Sequence, residues 1–146
     1  MILPDLNLIL YAYNRESAFH QSAKDWWETT LSSPRPVGLC WAVMLGFIRI
    51  STKRGIFREP LLVSSACDEV RAWLAQPQVI ILEPGRRHAS ILLDFLEKLG
   101  AAGNLTTDAH LAALAIEHEC ELFSTDDDFT KFPGLRWTNP LATGHS

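Results

Sequence analysis

The 146-residue sequence predicts an α/β protein whose sheet is mostly parallel, with helices on both faces. Three observations carry that expectation. Short apolar runs alternate with longer stretches of helical periodicity along the whole chain. One run, Val79-Ile80-Ile81-Leu82, is continuous and β-branched and is closed by Pro84-Gly85, as for a strand buried on both faces. The length suits one layered core, so residues 1–146 are expected to form a single domain, with about 142–146 a flexible tail.

Ile2-Leu3 begins a short strand that Pro4 and Asp5 end. Leu6, Ile9, Leu10 and Tyr13 then share one helical face, and Asp5 and Asn7 suit the start of that helix. A second helix covers residues 20–31, and Pro34 and Pro36 keep the following loop out of it. Val37-Gly38-Leu39 reads as a buried strand leading into an apolar helix over residues 41–52. Leu45, Phe47 and Ile48 are expected in the core there, with Arg49 and Lys53 one turn apart on a polar face. Residues 60–75 and 86–99 are helical in pattern, the latter ended by Gly100-Ala101-Ala102-Gly103. Thr106 or Thr107 caps a helix reaching about residue 118. Glu121-Leu122-Phe123 is a strand, residues 127–131 a short helical turn, and Leu135-Arg136-Trp137 an edge strand.

Composition excludes more than it assigns. Hydrophobic residues at 47% and charged ones at 21% describe an ordinary globular chain. A net charge of −4 argues against a broad basic nucleic-acid surface, though not against a nuclease that draws positive charge from a metal. Cys40, Cys67 and Cys120 lack paired spacing and read as core thiols in a reducing compartment. Pro4 and Asp5 break the N-terminus before any secretory h-region, and residues 37–48 are too short to span a bilayer, so a cytoplasmic protein is expected. The sequence has no G-x-S-x-G, Walker A or H-E-x-x-H motif. Gly100 and Gly103 follow a helix, which rules out a dinucleotide fingerprint.

The chemistry concentrates in Leu122-Phe123-Ser124-Thr125-Asp126-Asp127-Asp128-Phe129, where an apolar run meets three carboxylates. Like charges about 4 Å apart repel by about 4 kcal/mol near a protein surface, so a fold that gathers carboxylates usually holds a cation there. A solvated, capped turn is the competing reading. Asp5 at the end of the first strand and Asp108 at a helix start are isolated acids in matching settings. Parallel sheets build sites at the carboxyl ends of strands, which is where Asp5 and Asp126 fall, and Asp108 can join them. Mg²⁺ takes oxygen ligands and keeps several waters, so two or three carboxylates suffice to hold it for phosphodiester hydrolysis. Arg49, Lys53, Arg54 and Arg58 form the one dense basic stretch and suit RNA phosphates, or equally a helix end whose dipole they complement. His88 and His110 read as surface or capping residues, and the five tryptophans mostly as core.

Together, Leu3-Pro4-Asp5-Leu6-Asn7, the stretch from Asp108 to Ala115 and Ser124-Thr125-Asp126-Asp127-Asp128-Phe129 resemble a PIN-domain ribonuclease, and more narrowly the VapC toxins of toxin–antitoxin pairs. The resemblance implies a parallel sheet of about five strands and Mg²⁺- or Mn²⁺-dependent cleavage of RNA. It also implies inhibition by a cognate VapB antitoxin, and homodimers. By position it makes Asp5, Asp108 and Asp126 the catalytic acids and metal ligands, with Asp128 beside them. Asn7 and Ser124 or Thr125 would orient ligands or water from behind. One feature departs: VapC proteins usually carry a glutamate in the helix after the second strand, and here that setting reads Leu45-Gly46-Phe47. The gap favours, as rival reading, a catalytically weak PIN-like domain that binds RNA or protein. A phosphatase-like domain is a third class, but it wants D-x-D where this chain has Asp5-Leu6-Asn7.

Overall fold

The computed structural model describes residues 1–100 and 103–142. Of the tail expected at about 142–146, residues 143–146 lie outside the described residues, as do Ala101 and Ala102. The elements are β1 (Ile2–Pro4), α1 (Leu6–Tyr13), α2 (His20–Ser32), β2 (Val37–Leu39), α3 (Trp41–Ser51) and α4 (Val63–Leu74). Then follow β3 (Val79–Ile81), α5 (His88–Leu99), α6 (Thr106–Glu117), β4 (Glu121–Phe123) and β5 (Trp137–Thr138). Short 3₁₀ turns occupy Gly103–Leu105 and Asp127–Lys131.

The strands form one five-stranded sheet in the order β3-β2-β1-β4-β5, and every pairing is parallel. Right-handed crossovers then dictate the layers. From β1 to β2 to β3 the chain moves one way, which puts α1–α4 on one face; from β3 to β4 it returns past β1, which puts α5 and α6 on the other. The packing agrees: α1 contacts α2 and α3, α3 contacts α4, and α5 contacts α6. Strand order reverses around β1, so the crevice between the carboxyl ends of β1 and β4 is the topological switch point. Pairing of Pro4 with Phe123 sets Asp5 level with Ser124 there, and the Asp5 amide donates to the Phe123 carbonyl at 2.9 Å.

An aromatic cluster holds the α1–α4 face. Phe47 packs its ring 4.8 Å from Trp73 and 5.0 Å from Tyr13, and Trp27 meets Trp73 edge-on at 5.6 Å. Trp73 Nε1 donates to the Tyr13 hydroxyl at 3.0 Å, so the buried indole is paired. Helices α1 and α3 approach through Gly46, where an added Cβ would lie 2.6 Å from Leu6 Cδ2. Gly46→Val is therefore expected to cost about 1–3 kcal/mol, read as a lower urea midpoint at constant slope. An unmoved midpoint would show that Leu6 rotates aside freely.

Several sequence expectations need correction. Val79–Ile81 is an edge strand, with Ile80 and Ile81 more than 40% exposed, because β2 pairs it on one side only. Leu45 is exposed and Ile48 half-buried; the core side of α3 is formed by Val43, Met44, Gly46 and Phe47. Helix α3 ends at Ser51, so Lys53 lies beyond it. Helix α4 starts at Val63, because the Leu61 amide turns back to the Ser51 carbonyl at 2.8 Å. Helix α5 starts at His88 rather than at 86. Leu105, not a threonine, precedes α6, and the Thr106 hydroxyl donates backward to the Gly103 carbonyl. The last strand is Trp137–Thr138, paired in register with Leu122 and Phe123. His88 is buried, not on the surface, with Nε2 3.0 Å from His110 Nδ1, and burial lowers the pKa of both rings. Trp41 is the tryptophan left largely exposed, while Trp27 and Trp73 are core. No described helix is long and apolar enough to cross a membrane.

Candidate metal centre

Each acid reaches the switch point for a local reason. Asp5 is the residue at which β1 stops and α1 begins; its Oδ1 accepts from the Leu6 amide at 2.7 Å as the helix cap. Only 6% of Asp5 is exposed, so its second oxygen also needs a partner, and the Ser124 hydroxyl donates to Oδ2 at 2.6 Å. The same hydroxyl accepts from the Asp126 amide at 3.0 Å. Ser124 thus ties the end of β1 to the loop after β4. Asp126 caps the 3₁₀ turn, its Oδ1 accepting from the Asp128 amide at 2.9 Å. Asp108 arrives from the opposite face. Helix α6 runs into β4 and is antiparallel to it, so its first turn lies at the carboxyl end of the sheet.

Asp108, Asp126 and Asp128 each present a carboxylate oxygen, and these atoms all lie within 4.8 Å of one another. Asp5 lies behind this trio, joined through Ser124 and felt electrostatically. Burial, then the charges of Asp5, Asp126 and Asp128, push the Asp108 carboxyl up to about 6. Burial also raises Asp5, although the Ser124 and Leu6 hydrogen bonds hold it down, and Asp126 adds to the rise. Among the described residues no cationic side chain is a cause of either shift. Among the described residues, the one ion pair to the cluster is Lys131 Nζ to Asp128 Oδ1 at 3.0 Å.

Of the remaining residues expected at the site, Ser124 makes the hydrogen bonds to Asp5 and Asp126 given above, and Thr125 is half-buried beside it. Asn7 is half-buried in the first turn of α1. Arg49, Lys53 and Arg54 are exposed at and beyond the far end of α3. At 1.5 Å per residue, Arg49 is about 13 Å along the helix from Cys40, which begins it. Where a glutamate would be expected, Phe47 points into the aromatic core and is 0% exposed. The β2 end meets the site with Cys40, whose thiol is pushed up by burial and by the Asp5 charge.

Two positioning groups escaped the sequence. Trp137 Nε1 donates to the Ser124 carbonyl at 3.0 Å, and the Ser124 amide donates to the Thr138 carbonyl at 3.0 Å. Strand β5 therefore pins the residue that links Asp5 to Asp126. No sequence signal reveals this, since it depends on the register of two short strands.

A PIN-domain family model matches residues 2–135 of the chain. Ribonuclease VapC33 of Mycobacterium tuberculosis is 44% identical over 141 residues, covering 97% of this chain and 99% of that protein. Ribonuclease VapC37 of the same organism is 42% identical over 142 residues, with 97% and 99% covered. Among solved structures, VapBC2 from Rickettsia felis bound to a DNA fragment from its promoter superimposes with a TM-score of 0.65. That alignment covers 95% of this chain and 98% of the other at 18% identity, and it shows a shared fold.

Proposed function

The chain belongs to the PIN-domain family, and from that premise we propose that it is a metal-dependent endoribonuclease, the toxin of a toxin–antitoxin pair. The observation that carries the reading is the convergence of Asp108, Asp126 and Asp128 on one point, backed by buried Asp5, at the switch point of a parallel sheet. All the offered donors are oxygens, and burial together with the charges of Asp5, Asp126 and Asp128 raises Asp108; such a set fits a hard divalent cation, Mg²⁺ or Mn²⁺. When bound, the ion would polarise the phosphodiester and lower the pKa of an attacking water.

In this reading Asp108, Asp126 and Asp128 hold the cation, and Asp5 with Ser124 sets their spacing from behind. The Leu6 amide and the Ser124 hydroxyl each donate to one Asp5 oxygen and hold the carboxylate beside the cluster. Arg49, Lys53 and Arg54 offer phosphate contacts to an RNA strand leaving the centre. The partners are RNA, a VapB-type antitoxin and a second copy of the chain.

RNA incubated with the purified protein should be cut at internal bonds in Mg²⁺ or Mn²⁺, and EDTA should stop the reaction. Undiminished cleavage in EDTA would overturn the metal reading. Ser124→Ala removes the partner of Asp5 and leaves the Asp126 amide unpaired. Mn²⁺ affinity is expected to fall by about 10–100-fold, as for loss of an outer-shell partner, and titration calorimetry reads it directly. Affinity equal to wild type would mean that Asp5 needs no such tie.

A further inference from the structure

Among the described residues the acidic cluster is compensated at one point, by Lys131, and the spacing of a 3₁₀ turn sets that pairing. The turn Asp127–Lys131 is a 3₁₀ helix, in which residues three apart lie one above the other. Phe129 and Phe132, three apart, are 1% and 3% exposed and anchor the turn in the core, Phe132 against Phe95 at 5.1 Å. Asp128 and Lys131, also three apart, are thereby turned outward together. Lys131 Nζ sits 3.0 Å from Asp128 Oδ1, and the two side chains are 51% and 42% exposed. An ion pair this exposed is weak and costs little to open.

We propose that Lys131 is a substrate-contacting residue, whose ammonium binds a phosphate oxygen of the RNA at the centre. The inference rests on the ribonuclease reading above. A cation taken up by Asp108, Asp126 and Asp128 uses the carboxylate that Lys131 pairs with in its absence. The ammonium then stands beside the metal with donors to spare, where a phosphate drawn to the metal brings acceptor oxygens. Arg35, paired with Glu121, and Arg136, which donates to the Glu119 carbonyl, lie at the amino ends of the strands, away from the centre. Lys131 is also a rival of the metal for Asp128. Its removal should therefore spare or improve metal binding while harming RNA binding, a combination that a purely structural lysine does not produce.

The test compares wild type, Lys131→Gln and Lys131→Arg. Binding of a mixed-sequence single-stranded RNA is measured with Ca²⁺ in place of Mg²⁺ across a series of salt concentrations, and Mn²⁺ binding is measured without RNA. Lys131→Gln should bind RNA about tenfold more weakly, with a log–log salt slope smaller by about 0.7, the loss of one phosphate contact. Its Mn²⁺ affinity should equal or exceed that of wild type. Lys131→Arg should retain most RNA affinity, since it keeps a donor cation. An unchanged salt slope in Lys131→Gln, or Mn²⁺ and RNA affinities that fall together, overturns the proposal. Wild-type protein that binds neither RNA nor Mn²⁺ overturns the ribonuclease reading instead.

Discussion

Asp108→Asn is expected to abolish metal binding and to lower RNA cleavage by more than about 100-fold, beyond what loss of an outer-shell group costs. Asp108 is the one acid supplied from the α5–α6 face, so no neighbour can replace it. The same variant should raise the stability of the metal-free protein. Folding lifts the Asp108 carboxyl from its ordinary 3.8 to about 6, so the native state binds more protons than the unfolded state between those values. Stability in the absence of metal then falls as pH rises through that window, and the whole penalty is present above about 6. Asn carries no proton to lose. The metal-free melting temperature of Asp108→Asn should exceed that of wild type above about pH 6, and the difference should vanish below about pH 4. Added Mn²⁺ should raise the melting temperature of wild type only. A variant that melts below wild type at neutral pH, or that still responds to Mn²⁺, would contradict the assignment.

The second large effect concerns the missing glutamate. Phe47→Glu is expected to cost more than about 3 kcal/mol, because truncating a buried phenylalanine alone costs about 3–5 and the new carboxylate would be buried without a partner. Phe47 lies between Tyr13 and Trp73 with no exposed surface, so the carboxylate could not reach Asp5 or Asp108. Urea unfolding should show a lower midpoint, and soluble yield should drop. A variant as stable as wild type with tighter metal binding would show instead that α3 can rotate Phe47 toward the centre. The structure thus leaves the α3 side of the site without a carboxylate. Calorimetry on RNA-free protein should accordingly find one well-occupied Mn²⁺ site rather than two equal ones.

Much of this was written in the sequence in one dimension. Alternation of short apolar runs with helical periodicity dictates a parallel sheet with covered faces, since parallel strands need crossovers and crossovers here are helices. The places where apolar runs stop at Asp5 and at Ser124 mark strand ends, and Asp108 marks a helix start, so the acids could be found before any contact was known. Local chemistry also set the caps: Asp5 caps α1 and Asp126 caps the 3₁₀ turn because a short carboxylate reaches the next free amides.

Tertiary structure alone decided the rest, because each remaining feature depends on residues far apart in the chain. Ile80 and Ile81 look buried from their composition, yet strand order places β3 at an edge. Leu45 and Phe47 are both apolar and two residues apart on α3, and only the position of Trp73, on another helix, made Phe47 core and left Leu45 in solvent. Ser124 rather than Thr125 supports Asp5 because the pairing of β1 with β4 aims one hydroxyl at the other strand's end. Trp137 acts on Ser124 through a register that two-residue pairing sets. Residue spacing tells which side chains share a face of their own element; which neighbour that face meets is fixed only by how the elements pack.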